Sequence, residues 1–279
     1  MTTNSLLVHF AGNTITFDSD HAGLIKAINT HFKNCIGPNG PIIANYKITA
    51  LNDIEFSISR NGGDLFSNIN FEQVLFHFMQ DGLTQLNGAS TTELVFHAGT
   101  LAHDNRGLIL CGRSGSGKST LTARLMTDGF QYLTDEVISY PLDGGEISGF
   151  CRSLVLKKGS AFVWQRWPNH VEADELLQFN DGSVWVPPTL FNASAARSQV
   201  RPRLLIFPTY IADAPFQVEH LTSANTLFHL MQTLVNARNL PSYGMEAASQ
   251  FARQVPAFSL TYSDIEQASA WIQQTITTI

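Results

Sequence analysis

Apolar positions recur along the chain with two different periods, and the switches between them mark out its elements. Two short apolar runs between Ser5 and Phe17, separated by Gly12-Asn13, predict a hairpin. Leu24, Ile25, Ile28 and Phe32 recur at helical spacing over His21 to Phe32. Ile42 to Ile58 alternates as a strand, broken by a turn near Asn52-Asp53. Val74, Leu75, Phe78, Met79 and Leu83 share one face of a helix predicted over Phe71 to Leu86. Together these elements make residues 1–90 a small N-terminal α/β subdomain.

The remainder, residues 91–279, reads as a second domain. Leu94 to Ala102 is a predicted strand, Asp104 to Gly107 a turn, and Leu108 to Cys111 a fully apolar strand. A glycine-rich loop follows, then a helix from Lys118 to Met126 that Gly129 ends. Tyr132-Leu133 begins a strand that reaches Asp135. Leu154 to Lys157 predicts a short strand, and Ala161 to Val200, rich in Trp, Pro, Asn and Ser, a long irregular excursion. Leu204 to Phe207 is a buried strand, and Ser223 caps a helix to about Asn236. Another helix covers Met245 to Val255, Phe258 to Tyr262 is a strand, and Ser263-Asp264 opens the closing helix.

Composition narrows the function classes. The 279 residues carry a net charge of −6, and Lys157-Lys158 is the only adjacent basic pair, so no nucleic-acid footprint is present. No apolar stretch approaches the ~20 residues that span a bilayer. The N-terminus lacks a basic region followed by an apolar run. Cys35, Cys111 and Cys151 have no paired spacing and read as buried apolar residues in a reducing compartment. A cytoplasmic protein is expected, with no nucleic-acid or membrane partner.

Gly112-Arg113-Ser114-Gly115-Ser116-Gly117-Lys118-Ser119 fits the P-loop pattern G-x-x-x-x-G-K-[ST], after an apolar strand and opening a helix. A polyphosphate needs several donors converging on it. Glycines let successive backbone N–H groups point inward, and the helix adds the positive end of its dipole. Lys118 supplies a point charge, the Ser119 hydroxyl a Mg²⁺ ligand, and Thr120 completes the first turn. Gly112, Ser114, Gly115, Ser116 and Gly117 form the cradle. The expected cofactors are ATP and Mg²⁺, although the pattern fixes ligand class and not reaction. Asp135-Glu136 lies at a strand end, with Asp135 17 positions after Lys118 (135 − 118). Such a pair serves Mg²⁺ and an incoming nucleophile. His97 ends an apolar run on the strand ahead of the loop and can approach the phosphates.

These residues resemble the HPr kinase/phosphorylase family, and more closely its HPr-kinase-related (type A) proteins. The match lies in His97-Ala98-Gly99, the Gly112 to Ser119 loop, and Asp135-Glu136-Val137 in place of Asp-Asp-Val. Arg152-Ser153-Leu154-Val155-Leu156-Lys157-Lys158-Gly159-Ser160 and Leu260-Thr261-Tyr262-Ser263-Asp264 resemble later segments. The resemblance is specific over residues 94–140, modest over 150–160 and 200–279, and weak before 90. It implies the P-loop kinase core shared with phosphoenolpyruvate carboxykinase. It also implies that Asp135 deprotonates an acceptor hydroxyl, that Glu136 assists Mg²⁺, and that His97 orients the transferring group. The family's Leu-Glu-x-Arg-Gly signature has no copy, since Leu154-Val155-Leu156-Lys157 lacks the carboxylate. HPr itself and the reverse reaction are therefore not carried over.

The expected activity is an ATP- and Mg²⁺-dependent phosphotransferase acting on a hydroxyl, a serine of a protein or peptide partner. A nucleotide-dependent switch or ATPase without an acceptor, and a small-molecule kinase, are the alternatives. A homo-oligomer is compatible with either. Arg152, Lys157 and Lys158 are candidates for clamping phosphate or an acidic substrate. Arg113 is expected to point outward. Trp164, Trp167 and Trp185 either grip a partner or pin the excursion. His103 and His170 are expected to be structural.

Overall fold

The computed structural model describes residues 4–160, 163, 175–191 and 197–279. It is a mixed α/β protein with several sheets, dividing into two compact units, Met1–Thr91 and Thr92–Ile279. Among the described residues no helix is long and apolar enough to cross a membrane. The three cysteines are buried and form no disulfide.

The first unit runs β1 (Asn4–Phe10), β2 (Asn13–Ser19), α1 (Ala22–His31), β3 (Ile42–Ala50), β4 (Phe56–Arg60), β5 (Gly63–Ile69) and α2 (Phe71–Ala89). Its sheet has the order β1-β2-β3-β4-β5, with β2 and β3 parallel across α1 and the other pairs antiparallel. The His21 side chain caps α1 by accepting from Leu24 N, and Asn70 and Gln73 form a reciprocal capping box on α2. Phe17, Phe32 and Tyr46 pack edge-on around the buried ring of Phe78. The pattern of apolar residues does not reveal β5, because Asp64, Ser67 and Asn68 make it largely polar and exposed. The signal that announces it is Asn61-Gly62, whose φ values of 52° and 80° suit a tight hairpin turn.

The second unit continues with β6 (Glu93–His103), β7 (Arg106–Cys111), α3 (Lys118–Thr127), β8 (Gln131–Thr134), β9 (Val137–Pro141), β10 (Ile147–Gly149) and β11 (Leu154–Leu156). Next come β12 (Leu177–Gln178), β13 (Val184–Val186), β14 (Gln199–Tyr210), β15 (Gln217–His220), α4 (Ser223–Met231), α5 (Met245–Gln254), β16 (Ala257–Tyr262) and α6 (Ile265–Thr278). The large sheet has the order β10-β9-β6-β7-β14-β16-β15, with β8 on β6 and a further pairing of β10 to β14. β7, β14 and β16 run parallel; β6 is antiparallel to β7, β8 and β9.

Alternation along β7 sends its side chains to two faces. Ile109 and Cys111 join a core with Phe96, Leu205, Leu230 of α4 and Phe251 of α5. Leu108 and Leu110 are equally buried but lie outside that cluster. Arg124 of α3 reaches Glu266 of α6, Nη2 to Oε2 2.7 Å, and so fastens the helix that begins at the glycine-rich loop.

Three expectations are corrected. The helix opening at Ser223 is capped by Thr222, whose side chain accepts from Asn225 N, and it stops at Met231 instead of Asn236. Residues 233–236 lie instead along β6. Thr233 O accepts from His97 N, Val235 N donates to Val95 O, and the Asn236 side chain bonds both Val95 N and Glu93 O. β6 offers these partners over Glu93–His97, where β7 no longer pairs with it, and satisfying them outweighs another helical turn.

The excursion over 161–200 is also less irregular than expected. Its β12 and β13 join β11, which precedes it, in a three-stranded sheet, and Trp185 is buried in it. Trp185 therefore pins the segment. Trp164, Trp167 and His170 lie outside the described residues. Finally, the strand at Leu204 is longer than its apolar run, since exposed Gln199, Arg201 and Arg203 alternate with buried positions.

Candidate functional site

The loop between β7 and α3 is wound tightly. Gly115 and Gly117 have φ of 87° and 91°, in the region that side chains rarely adopt. A Cβ on Gly117 would lie 2.3 Å from the Tyr262 hydroxyl, and one on Gly112 would lie 2.8 Å from Ser116 Oγ. Tyr210 N donates to Ser116 O at 3.2 Å, tying the loop to the end of β14. The first-turn N–H groups of α3, around Lys118, Ser119 and Thr120, have no acceptor within their own helix and face the loop. Ser116 Oγ is buried and has no hydrogen-bond partner among the described residues.

Lys118 is buried and folds back, its Nζ donating to Gly112 O at 2.5 Å and Arg113 O at 3.2 Å. Burial lowers its pKa from the ordinary lysine value, against the pull of Asp135 and Glu136. Ser119 Oγ donates to Asp135 Oδ2 at 3.2 Å. On its other oxygen Asp135 accepts from the Tyr132 hydroxyl at 2.9 Å. Val155 N makes a longer contact of 3.4 Å to Oδ2. The turn that presents this carboxylate is local: Thr134 Oγ1 accepts from Glu136 N and donates to Phe150 O, which ends β8.

Two carboxylates share one guanidinium. Arg152, 2% exposed, binds Glu136 Oε2 through Nη2, approaches Asp135 Oδ1 at 3.6 Å, and donates to Ser153 O. Desolvation and the neighbouring Glu136 raise the Asp135 pKa above the usual carboxylate range, against the pull of Arg152. Glu136 goes the other way. Its burial would raise it, but Arg152 and His97 hold it low. His97 Nδ1 lies 3.9 Å from Glu136 Oε1, and burial lowers the His97 pKa, favouring neutral imidazole near pH 7.

Every residue expected at the site is thus placed within one neighbourhood, from Gly112 to Thr120 and from His97 to Asp135 and Glu136. Arg152 is not available as a phosphate clamp, since it is consumed as the buried counter-ion of the acidic pair. Lys157 instead reaches the loop, Nζ to Ser114 Oγ 2.8 Å, and Arg113 is exposed. His103 approaches Asp104 and the Phe130 ring, away from the cluster's hydrogen bonds. Tyr132 was not a sequence candidate. Its only signal is a position three residues before Asp135.

No three His, Cys, Asp or Glu side chains cluster as a metal site among the described residues. Mg²⁺ does not need such a cage, because it takes one or two carboxylates and fills its sphere with water and phosphate oxygens. Ser119 Oγ and Asp135 Oδ2 are hard oxygen donors of that kind. The glycine cradle and the orphaned Ser116 hydroxyl likewise fit a polyphosphate.

No protein-family model matches the chain, and no curated protein matches it. Among solved structures, the Hpr(Ser) kinase/phosphatase from Coxiella burnetii is similar over 66% of this chain and 97% of its own. The identity is 12% and the TM-score 0.32, so the chemistry of the site rests on the residues themselves.

Proposed function

We propose that this protein is an ATP- and Mg²⁺-dependent phosphotransferase of the HPr-kinase-like type, acting on a hydroxyl, a serine of a protein or peptide. The observation that carries the reading is the meeting of Ser119 with Asp135 at 3.2 Å at the mouth of a tightly wound glycine loop that also holds Lys118. The backbone N–H groups of the loop and the Lys118 ammonium hold the β- and γ-phosphates. Ser119, Asp135 and Glu136 are the side chains that would hold Mg²⁺, which would supply charge neutralisation at the phosphate oxygens.

The acceptor hydroxyl oxygen forms the new bond to the γ-phosphorus. The bond from that phosphorus to the bridging oxygen breaks, and ADP leaves. Asp135 takes the hydroxyl proton. Asp135 suits that role better than Glu136 by position, since it meets Ser119 at the loop whereas Glu136 is bound by Arg152. Neutral His97 orients the transferring group by hydrogen bonding.

Incubation with γ-labelled ATP and Mg²⁺, against lysate separated into macromolecular and small-molecule fractions, tests this reading. Label on one protein or peptide, lost with Asp135→Asn, is expected. Label confined to the small-molecule fraction moves the acceptor to a metabolite. Release of free phosphate alone overturns transfer and makes the chain a nucleotide-hydrolysing switch.

A further inference from the structure

The nucleoside end of the ligand needs a surface of its own, and its place rests on the phosphate-loop reading above. An NTP is long, and its two ends must leave the loop in different directions. The acidic pair lies to one side of β7, beyond β6 and β8. To the other side, β14 and β16 run parallel to β7 and end beside the loop. In open sheets of this kind, ligands extend over the carboxyl ends of the parallel strands. Terminal phosphate and metal face the acidic side, so the nucleoside must lie over the ends of β14 and β16.

At the end of β14 the pattern changes abruptly. Leu204 to Pro208 are buried, whereas Tyr210 and Ile211 are 50% and 51% exposed. Tyr210 is held against the loop itself, by its N–H to Ser116 O and by a Cβ 3.2 Å from where a Gly117 Cβ would stand. Its ring meets the buried Tyr262 ring edge-on, centroids 5.7 Å apart at 68°. The Tyr262 hydroxyl in turn lies under Gly117. The same packing that shapes the loop therefore also holds an aromatic face at its rim.

We propose that the Tyr210 ring, flanked by Ile211, is the stacking surface for the base of the bound nucleotide. Stacking on one aromatic face discriminates little among bases, because every base has a π-face. The site then takes ATP and GTP alike and distinguishes both from a bare triphosphate.

Calorimetric titration of ATP, GTP and inorganic tripolyphosphate with Mg²⁺ tests this, using the full chain and the variants Tyr210→Ala and Tyr210→Trp. Base stacking predicts that Tyr210→Ala loses roughly ten-fold or more in affinity for both nucleotides. Tripolyphosphate affinity stays unchanged, and Tyr210→Trp retains nucleotide binding. Tyr210→Ala that binds ATP as well as the parent overturns the proposal. So does a parent protein that binds tripolyphosphate as tightly as ATP, and in both cases the loop reading stands. A parent that binds none of the three overturns the loop reading, and this inference falls with it.

Discussion

Asp81 in the first unit and Asp135 in the second are held by the same two side-chain types. Asp81 accepts from the Tyr46 hydroxyl at 2.5 Å and from Arg60 Nη1 at 2.7 and 2.6 Å. Asp135 accepts from the Tyr132 hydroxyl and lies 3.6 Å from Arg152. The difference is in charge count and burial. Arg60 and Asp81 balance one to one, with about a quarter of each side chain exposed. Arg152 must serve Asp135 and Glu136 together, and it is 2% exposed. In its direct ion pairs the second cluster has one carboxylate more than its guanidinium balances, opposed by the Lys118 ammonium without an ion pair to it, and Asp135 sits against Ser119 at the glycine loop. A cation added there completes the balance. The first cluster needs nothing further and is structural.

Removing each arginine gives the largest contrast. Arg152→Met removes the ion-pair partner of both carboxylates and leaves Lys118 as the remaining nearby cation, which costs about 3–5 kcal/mol. Arg60→Met exposes Asp81 to water, and about 1 kcal/mol or less is expected. Urea unfolding measures both. All four tryptophans, at positions 164, 167, 185 and 271, lie in the second unit, so fluorescence reports there and circular dichroism covers the whole. Equal losses would erase the distinction between the clusters.

Neutralising each aspartate should give opposite signs. Folding raises the Asp135 pKa, so its charged form weakens the fold above the unfolded carboxylate pKa. That cost is relieved as pH falls through the folded value. Asp135→Asn removes it at neutral pH and leaves Arg152 with Glu136 alone. The variant should lose phosphotransfer yet unfold at no lower urea than the parent, as expected where function strains a fold. Asp81→Asn removes a balanced partner and should lose about 1 kcal/mol.

The excess charge also sets a pH dependence. Mg²⁺ must displace any proton on Asp135, so its affinity falls as pH falls, beginning above the usual carboxylate range. Nucleotide titrations with Mg²⁺ at successively lower pH should weaken, by up to ten-fold per unit for a single coupled proton once the pH is below the folded Asp135 pKa. Asp135→Asn should flatten that slope, and Asp81→Asn should leave it intact. A slope that persists in Asp135→Asn assigns the proton elsewhere.

The glycine loop, β6, β7 and α3 are legible in the sequence because their causes are local: an apolar run, glycines at fixed offsets, a helix that starts at once. Asp135 and Glu136 are legible for the same reason. Arg152 is visible as a cation, but its role depends on burial 17 positions later (152 − 135), and no spacing rule encodes that. Tyr132 reads as an ordinary strand residue until Asp135 turns back on it. The end of α4 was hidden because β6, distant in sequence, takes over the backbone bonds of residues 233–236. The short strands β12 and β13 carry too few residues for any period to show.

The tyrosines offer the finest comparison. Tyr46→Phe and Tyr132→Phe each remove one hydroxyl donor from an aspartate and leave the ring in place. Asp81 keeps both bonds from Arg60, so Tyr46→Phe should cost about 1 kcal/mol of stability and leave nucleotide binding unchanged. Asp135 keeps the weaker Arg152 contact and the Ser119 and Val155 donors. Its charged form then loses one of the donors that favour it, and its pKa moves further up. Tyr132→Phe should therefore shift the acid limb of Mg²⁺-dependent binding to higher pH. Unchanged Mg²⁺ affinity across the pH range would mean that the Tyr132 hydroxyl only fills space, and the two clusters would then differ in their arginines alone.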